Sequence, residues 1–295
     1  MEETFNPVND PLVLEQLEKD NYLIEYENCD NDLCCIYFSS HAVYFPETRE
    51  NFIHVIIEND RFEWYKKRVP NVQKHIFLRD IRKQFYVEGI NSRLNSMDLL
   101  IEWLKKETEG YHVTTLGSSA GGYASAAAGT ALGADKIYCF SAQFSLRDDF
   151  AYPTKELLLK HERDPEYYKW YNIVDRLNKN VIYVYPSDSD CDIVQAVLLK
   201  KQEKDREVCV ISIKSSTHGV PIYHSSLTAL LLMPTDRIRE YSGVRYTPFT
   251  FSVKMIGVIR SVCGLFKEFL RKAYIKLRAL KNRHRRNKAC CLYFY

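Results

Sequence analysis

Tyr111-His-Val-Thr-Thr-Leu-Gly117-Ser118-Ser119-Ala120-Gly121-Gly122-Tyr123 is the stretch that decides the fold. A β-type apolar run ends in Gly-Ser-Ser-Ala-Gly, and small residues follow from Gly121 to Gly129. This is the G-x-S-x-G pattern, which places a serine on a sharp strand-to-helix turn with its hydroxyl above the sheet. Gly117 and Gly121 flank Ser119 because strand and helix nearly touch at such a turn, leaving no room for a Cβ. A tight βα turn in any doubly wound sheet would use similar residues for packing and capping. A phosphate-binding loop is disfavoured, because the lysine of G-x-x-x-x-G-K-[ST] is absent.

Working outward, strand-like runs alternate with helical ones. Tyr22–Tyr26 and Leu33–Phe38 read as a pair of strands joined by the Asn/Asp-rich turn at 28–32. Phe52–Ile57 suits a strand, or a buried helical turn. Lys74–Arg79 reads as a strand and Ser96–Glu109 as a helix capped by Ser96, with Leu99, Leu100, Trp103 and Leu104 as its apolar face. Beyond the turn come strands at Lys136–Phe140, Val181–Tyr185 and Val208–Ile213, with a helix at Ile193–Glu203. This alternation predicts a mostly parallel sheet flanked by helices, with right-handed crossovers. Residues 146–178, charged and aromatic, are expected to form a helical cap on a domain spanning 1–245.

A serine hydroxyl needs a base to take its proton, and the base needs an orienting carboxylate. His218 lies in the polar loop Lys214–Pro221 after a strand and is the candidate base. The loop Pro186–Asp192 supplies Asp188, Asp190 and Asp192. Asp192 is favoured as the orienting acid, with Asp190 the close alternative; a helix N-cap would explain Asp192 equally simply. Oxyanion stabilisation needs backbone N–H donors. Ala120, next after the nucleophile, and Ser40, after an early strand, are the candidates. His41, Arg79, Ser118 and Tyr123 are candidates for lining the substrate site.

Together the elbow, the Asp-rich loop and the His218 loop resemble the α/β-hydrolase superfamily over roughly residues 20–235, in the chain order Ser, Asp, His. Gly117–Gly122 and Arg79-Asp80 are also similar to bacterial hydrolase-like proteins of polysaccharide gene clusters, capsule O-acetyltransferases among them. That resemblance implies an α/β-hydrolase fold and acyl transfer or ester hydrolysis through a Ser119–His218–Asp192 triad. It also implies an acyl donor and a glycan or ester substrate, with no cofactor and no metal. The His-Gly-Gly-Gly motif of lipase-like members is absent, so no motif marks the second oxyanion donor.

Composition separates the chain into two parts. Of 295 residues, 46% are hydrophobic and 27% charged, as in a globular protein. The net charge of +3 conceals a basic tail: residues 254–288 hold twelve Lys or Arg and one acid, Glu268. The remainder carries 29 basic and 37 acidic residues, so it is strongly acidic. Apolar residues from Phe251 to Leu280 recur at helical spacing, with Lys and Arg between them. Such a helix is expected to lie in an anionic membrane surface through residues 251–288, the tail proper running 246–295. The same charges would serve nucleic acid, but no nucleic-acid fold accompanies them, so no nucleic-acid partner is expected. The polar start Met1–Pro7 lacks a secretory layout, and the nine cysteines show no zinc spacing. The expected location is cytoplasmic, peripheral to the inner face of the membrane.

Overall fold

The computed structural model describes residues 5–146, 164–201, 208–267 and 269–270. Its frame is an eight-stranded sheet in the order β1-β3-β2-β4-β5-β6-β7-β8. The strands are β1 (Tyr22–Tyr26), β2 (Leu33–Phe38), β3 (Lys74–Leu78), β4 (His112–Ser118), β5 (Lys136–Phe140), β6 (Val181–Pro186), β7 (Cys209–Ile213) and β8 (Arg245–Tyr246). β2 through β7 run parallel, and β1 pairs antiparallel with β3. This is an α/β-hydrolase-like fold: a mostly parallel sheet flanked by helices.

β1 and β2 are both strands, but they do not pair with each other as the sequence reading expected. β3 lies between them, bonded to Tyr22–Tyr26 on one side and to Cys34–Phe38 on the other. The Asn/Asp turn therefore spans a strand's width instead of closing a hairpin. The 52–57 segment resolves to its helical alternative: helix α2 (Arg49–Phe52) runs on into a π-helical stretch, Ile53–Glu58. Val55 and Ile56 pack there with Val13, Val43, Tyr44 and Phe52 in a small satellite core.

Helix α1 (Pro11–Gln16) is capped by Asp10, whose side chain accepts from Leu12 N–H. Helix α3 (Met97–Glu107) starts at Ser96, which accepts from Leu99 N–H at 3.2 Å. The face it buries is Met97, Leu100, Ile101 and Leu104, while Leu99 is exposed. Helix α4 (Ala120–Leu132) is buried from Ala120 to Gly129. Its alanines and glycines let it lie against β4 and β5, where a larger side chain would hold it away.

Residues 147–163, the first half of the expected cap, lie outside the described residues. The second half holds helix α5 (Pro165–Tyr168) and a 3-10 turn, Val174–Arg176. Trp170, Tyr171, Ile173, Val174 and Leu177 are buried in the main core. Leu146 N–H bonds Tyr171 O at 2.7 Å, stitching this segment to the chain leaving β5.

Helix α6 (Asp190–Lys201) follows β6. The chain divides into one unit of Met1–Pro221 with Pro234–Arg245 and a second of Ile222–Met233 with Tyr246–Tyr295. Helix α8 (Thr235–Arg239) belongs to the first unit. The second contains α7 (His224–Leu232) and α9 (Pro248–Ile256), which pack together. α9 ends at Gly257, whose φ of +79° breaks the single helix expected over 251–280. Helix resumes at 258–267. Ser261 and Gly264 are buried, Gly264 against Ser225 and Ser261 bonded to Ser252. Val258, Ile259, Val262, Leu265, Phe266, Phe269 and Leu270 remain exposed on the other side. Residues 271–295, with most of the basic tail, lie outside the described residues. Among the described residues no helix is long and apolar enough to cross a membrane.

Candidate active site

Ser119 sits between β4 and α4 with φ +54° and ψ −123°, a backbone conformation that non-glycine residues rarely adopt. The neighbouring glycines explain how this is tolerated. A Cβ on Gly117 would lie 2.1 Å from Gly121 O, and one on Gly121 would lie 2.2 Å from Phe38 O. Strand, turn and helix are therefore in backbone contact, and the end of β2 closes on the same point. Ser119 N–H donates to Phe140 O at 2.9 Å, fixing the turn against β5. Holding a non-glycine residue at such a φ costs on the order of 1–3 kcal/mol, and such strain concentrates at functional sites.

The Asp and His loops leave the next strands. Ser187 N–H bonds Ile213 O at 2.7 Å and Asp188 N–H bonds Ser215 O at 3.0 Å, so the two loops are tied together. His218 Nε2 lies 2.9 Å from Ser119 Oγ. Its Nδ1 lies 2.9 Å from Asp192 Oδ2. The same Oδ2 accepts from Ser189 Oγ at 2.7 Å. Asp192 is buried, with 2% of its side chain exposed, whereas His218 is 39% exposed. The result is a continuous hydrogen-bonded chain from an exposed edge to a buried carboxylate.

Where α6 begins sets Asp190 and Asp192 in different surroundings. The helix starts at Asp190, three residues before the expected Ile193, so Asp192 lies in its first turn and points inward. Asp190 is exposed, and Asp188 pairs with Arg245.

The remaining expected residues are placed as follows. Ala120 is the first residue of α4, where N–H groups lack intrahelical partners. Ser40 N–H is already engaged: it donates to Glu63 Oε2 at 2.5 Å, and Ser40 Oγ–H donates to Glu63 Oε1 at 3.1 Å. Burial pushes the Glu63 carboxyl above its ordinary range. His41 stacks edge-on to Phe85 at 4.6 Å, and its buried Nε2 has no hydrogen-bond partner. Burial, reinforced by Lys83, pushes its pKa down to about 3, so the ring is neutral.

Ser118 is buried, its Oγ 3.9 Å from where a Cβ on Gly219 would stand. Tyr123 is fully buried in the core, its hydroxyl donating to Trp170 O and its ring edge-on to Phe85. Arg79 is buried too, bonded to Asn21 Oδ1 at 3.1 Å, Arg61 O at 3.2 Å and Asp60 at 2.8 Å. These bonds occupy donors that a substrate would otherwise use. Asp80 accepts N–H bonds from Gln84 and Tyr86, and burial lifts its pKa to about 6.

Three residues beside the site have no sequence signature. Ser141, after β5, donates to Gly219 O at 2.6 Å and accepts from Gly219 N–H at 3.0 Å, bracing the residue after His218. Glu63 comes from a loop with no motif. Cys191 places Sγ 4.0 Å from His218 Nδ1 and 3.7 Å from Asp192 Oδ2.

No protein-family model matches the sequence, and no curated protein matches it. Several solved structures are similar. One is the capsule O-acetyltransferase of Neisseria meningitidis serogroup A, at 12% identity over 76% of this chain and 90% of that one, TM-score 0.43. Another is the Pyrococcus horikoshii acylaminoacyl peptidase, at 12% identity over 75% of this chain and 37% of that one, TM-score 0.42. A third is brefeldin A esterase, a bacterial homologue of human hormone sensitive lipase, at 12% identity over 66% and 69%, TM-score 0.36.

Proposed function

We propose that this protein transfers or hydrolyses acyl groups through a covalent acyl-serine at Ser119. The observation that carries this reading is the chain from Ser119 Oγ through both ring nitrogens of His218 to buried Asp192, with two 2.9 Å links. Ser119 Oγ attacks the acyl carbonyl carbon while its proton passes to His218 Nε2. The oxyanion is held by Ala120 N–H and by a donor of the 39–41 loop; Ser40 N–H serves once Glu63 turns away from it. His218 then gives its proton to the leaving oxygen as the acyl–oxygen bond breaks. Water or a sugar hydroxyl loses its proton to Nε2 and attacks the acyl-serine; as the ester bond to serine breaks, Nε2 returns that proton to Ser119 Oγ and restores the starting state. Asp192 keeps Nδ1–H in place and offsets the charge of the imidazolium.

The sequence resemblance to polysaccharide-cluster proteins points to a glycan or lipid-linked glycan as acyl acceptor or as esterified substrate. The test is labelling by a fluorophosphonate together with hydrolysis of p-nitrophenyl acetate. Wild type should label and hydrolyse, and Ser119→Ala and His218→Ala should lose both. An unlabelled wild type would favour a non-catalytic scaffold of the same fold.

The exposed apolar row from Val258 to Leu270, flanked by Arg260, Lys267 and the basic sequence beyond, supports docking on an anionic membrane surface. The full chain should sediment with phosphatidylserine-containing vesicles, and Ile259→Asp with Phe266→Asp should release it. Equal sedimentation of the double variant would remove this part of the reading.

A further inference from the structure

Cys191, Asp192 and His218 bring a thiol, a carboxylate oxygen and an imidazole nitrogen within 4.8 Å of one another. The separations are 2.9 Å between Nδ1 and Oδ2, 3.7 Å between Sγ and Oδ2, and 4.0 Å between Sγ and Nδ1. A tetrahedral Zn2+ with ordinary bond lengths to S, N and O holds its donors about 3.3–3.6 Å apart. The triangle in this protein comes within about half an ångström of that, with its N–O side short and its S–N side long, a misfit that small side-chain torsions can take up. The donor set of soft sulfur with nitrogen and oxygen is the one Zn2+ takes, and it is poor for Mg2+ or Ca2+.

The site is reachable from solvent. His218 is 39% exposed and Cys191 is partly exposed. The interior cysteines Cys34, Cys35, Cys139 and Cys209, by contrast, are buried. Ser189 Oγ, 3.2 Å from Cys191 Sγ and 2.7 Å from Asp192 Oδ2, flanks the same point and leaves a fourth position for it or for water.

We propose that Cys191, Asp192 and His218 form an inhibitory zinc site built on the acid–base pair. On binding, the Cys191 thiol loses its proton to solvent and the metal sheds water. His218 ligates through Nδ1, so the hydrogen of its neutral ring moves to Nε2. A ring protonated at Nε2 can donate to Ser119 but cannot accept its proton, and Asp192 no longer holds Nδ1–H. Zinc thus switches the serine off without touching it. The inhibitory consequence rests on the acyl-serine reading; the binding does not.

Two measurements separate these. First, Cd2+ is titrated into Ser119→Ala while the ultraviolet sulfur-to-cadmium charge-transfer band is followed. Adding Cys191→Ser should remove a one-site part of that band. Second, the rate of fluorophosphonate labelling is measured with Zn2+, with Mg2+ as control and EDTA to reverse. Zn2+ should slow wild type about tenfold or more where Cys191→Ser, active without metal, slows less than about twofold. Equal Cd2+ bands in the two backgrounds, or equal zinc sensitivity of wild type and Cys191→Ser, would overturn the site. A Cys191-dependent band in a protein that never labels would uphold the metal site and reject the acyl-serine.

Discussion

Replacing Asp192 by Asn is the sharpest perturbation of the proposed chemistry. The amide keeps the shape of the carboxylate and an oxygen that can still accept from Ser189 and His218, so it removes mainly the charge. In the wild type Oδ2 lies 2.9 Å from Nδ1, which sets the charge centres of carboxylate and imidazolium about 4 Å apart. At the effective dielectric suited to a partly open site, that attraction is worth about 4 kcal/mol. Because 39% of the His218 side chain is exposed, solvent screening reduces it. The barrier should rise by about 2–3 kcal/mol, a drop of about 30- to 150-fold in rate. The assay is the pseudo-first-order rate of Ser119 labelling by a fluorophosphonate, which needs no natural substrate. Asp190→Asn, at an exposed position two residues away, should change the rate by no more than about twofold. If Asp190→Asn fell as far as Asp192→Asn, or if Asp192→Asn stayed within about threefold of wild type, the assignment of the acid would be wrong.

Gly121→Ala should cost about 3 kcal/mol or more and lower the melting temperature by at least about 6 °C, because its Cβ meets backbone oxygens of Phe38 and Ser39; an unchanged thermal melt would count against the close approach. Ser141→Ala removes both bonds to Gly219 and should slow labelling about tenfold, with a similar loss in p-nitrophenyl acetate turnover; equal rates would show that the His218 loop needs no brace. His41 stays neutral in the fold, its pKa pushed down to about 3, whereas in the unfolded chain it takes up a proton near its ordinary 6.5. Acidification below pH 6.5 therefore favours the unfolded state through this residue, with the loss complete near pH 3. Melting temperatures measured from pH 7 to 4 should fall more steeply for wild type than for His41→Phe, and parallel curves would contradict the buried neutral ring.

The parts of the site that depend on steric exclusion were legible in the chain. Gly117 and Gly121 are glycines because backbone stands where their Cβ would be, and that requirement shows directly as a residue type. The order of strands was less accessible. β1 looked like half of a hairpin with β2, yet its partner β3 begins only at Lys74, and nothing local announces a pairing that distant. Asp192 was favoured over Asp190 only narrowly, because the burial that sets them apart comes from a helix that starts three residues early. Cys191 and Glu63 gave no signal. Each matters through a side-chain meeting across loops, and such meetings leave no spacing to read.

Ser119 and His218 are separated by 99 residues along the chain, and His218 and Asp192 by 26, with each arriving from a different strand of one sheet. Contacts of that span close late in folding, after the entropy of large loops has been overcome. Reactivity at residue 119 should therefore appear only with the final cooperative step of refolding, lagging behind the return of secondary structure. A pulse of active-site probe during refolding would then time the completion of the native sheet.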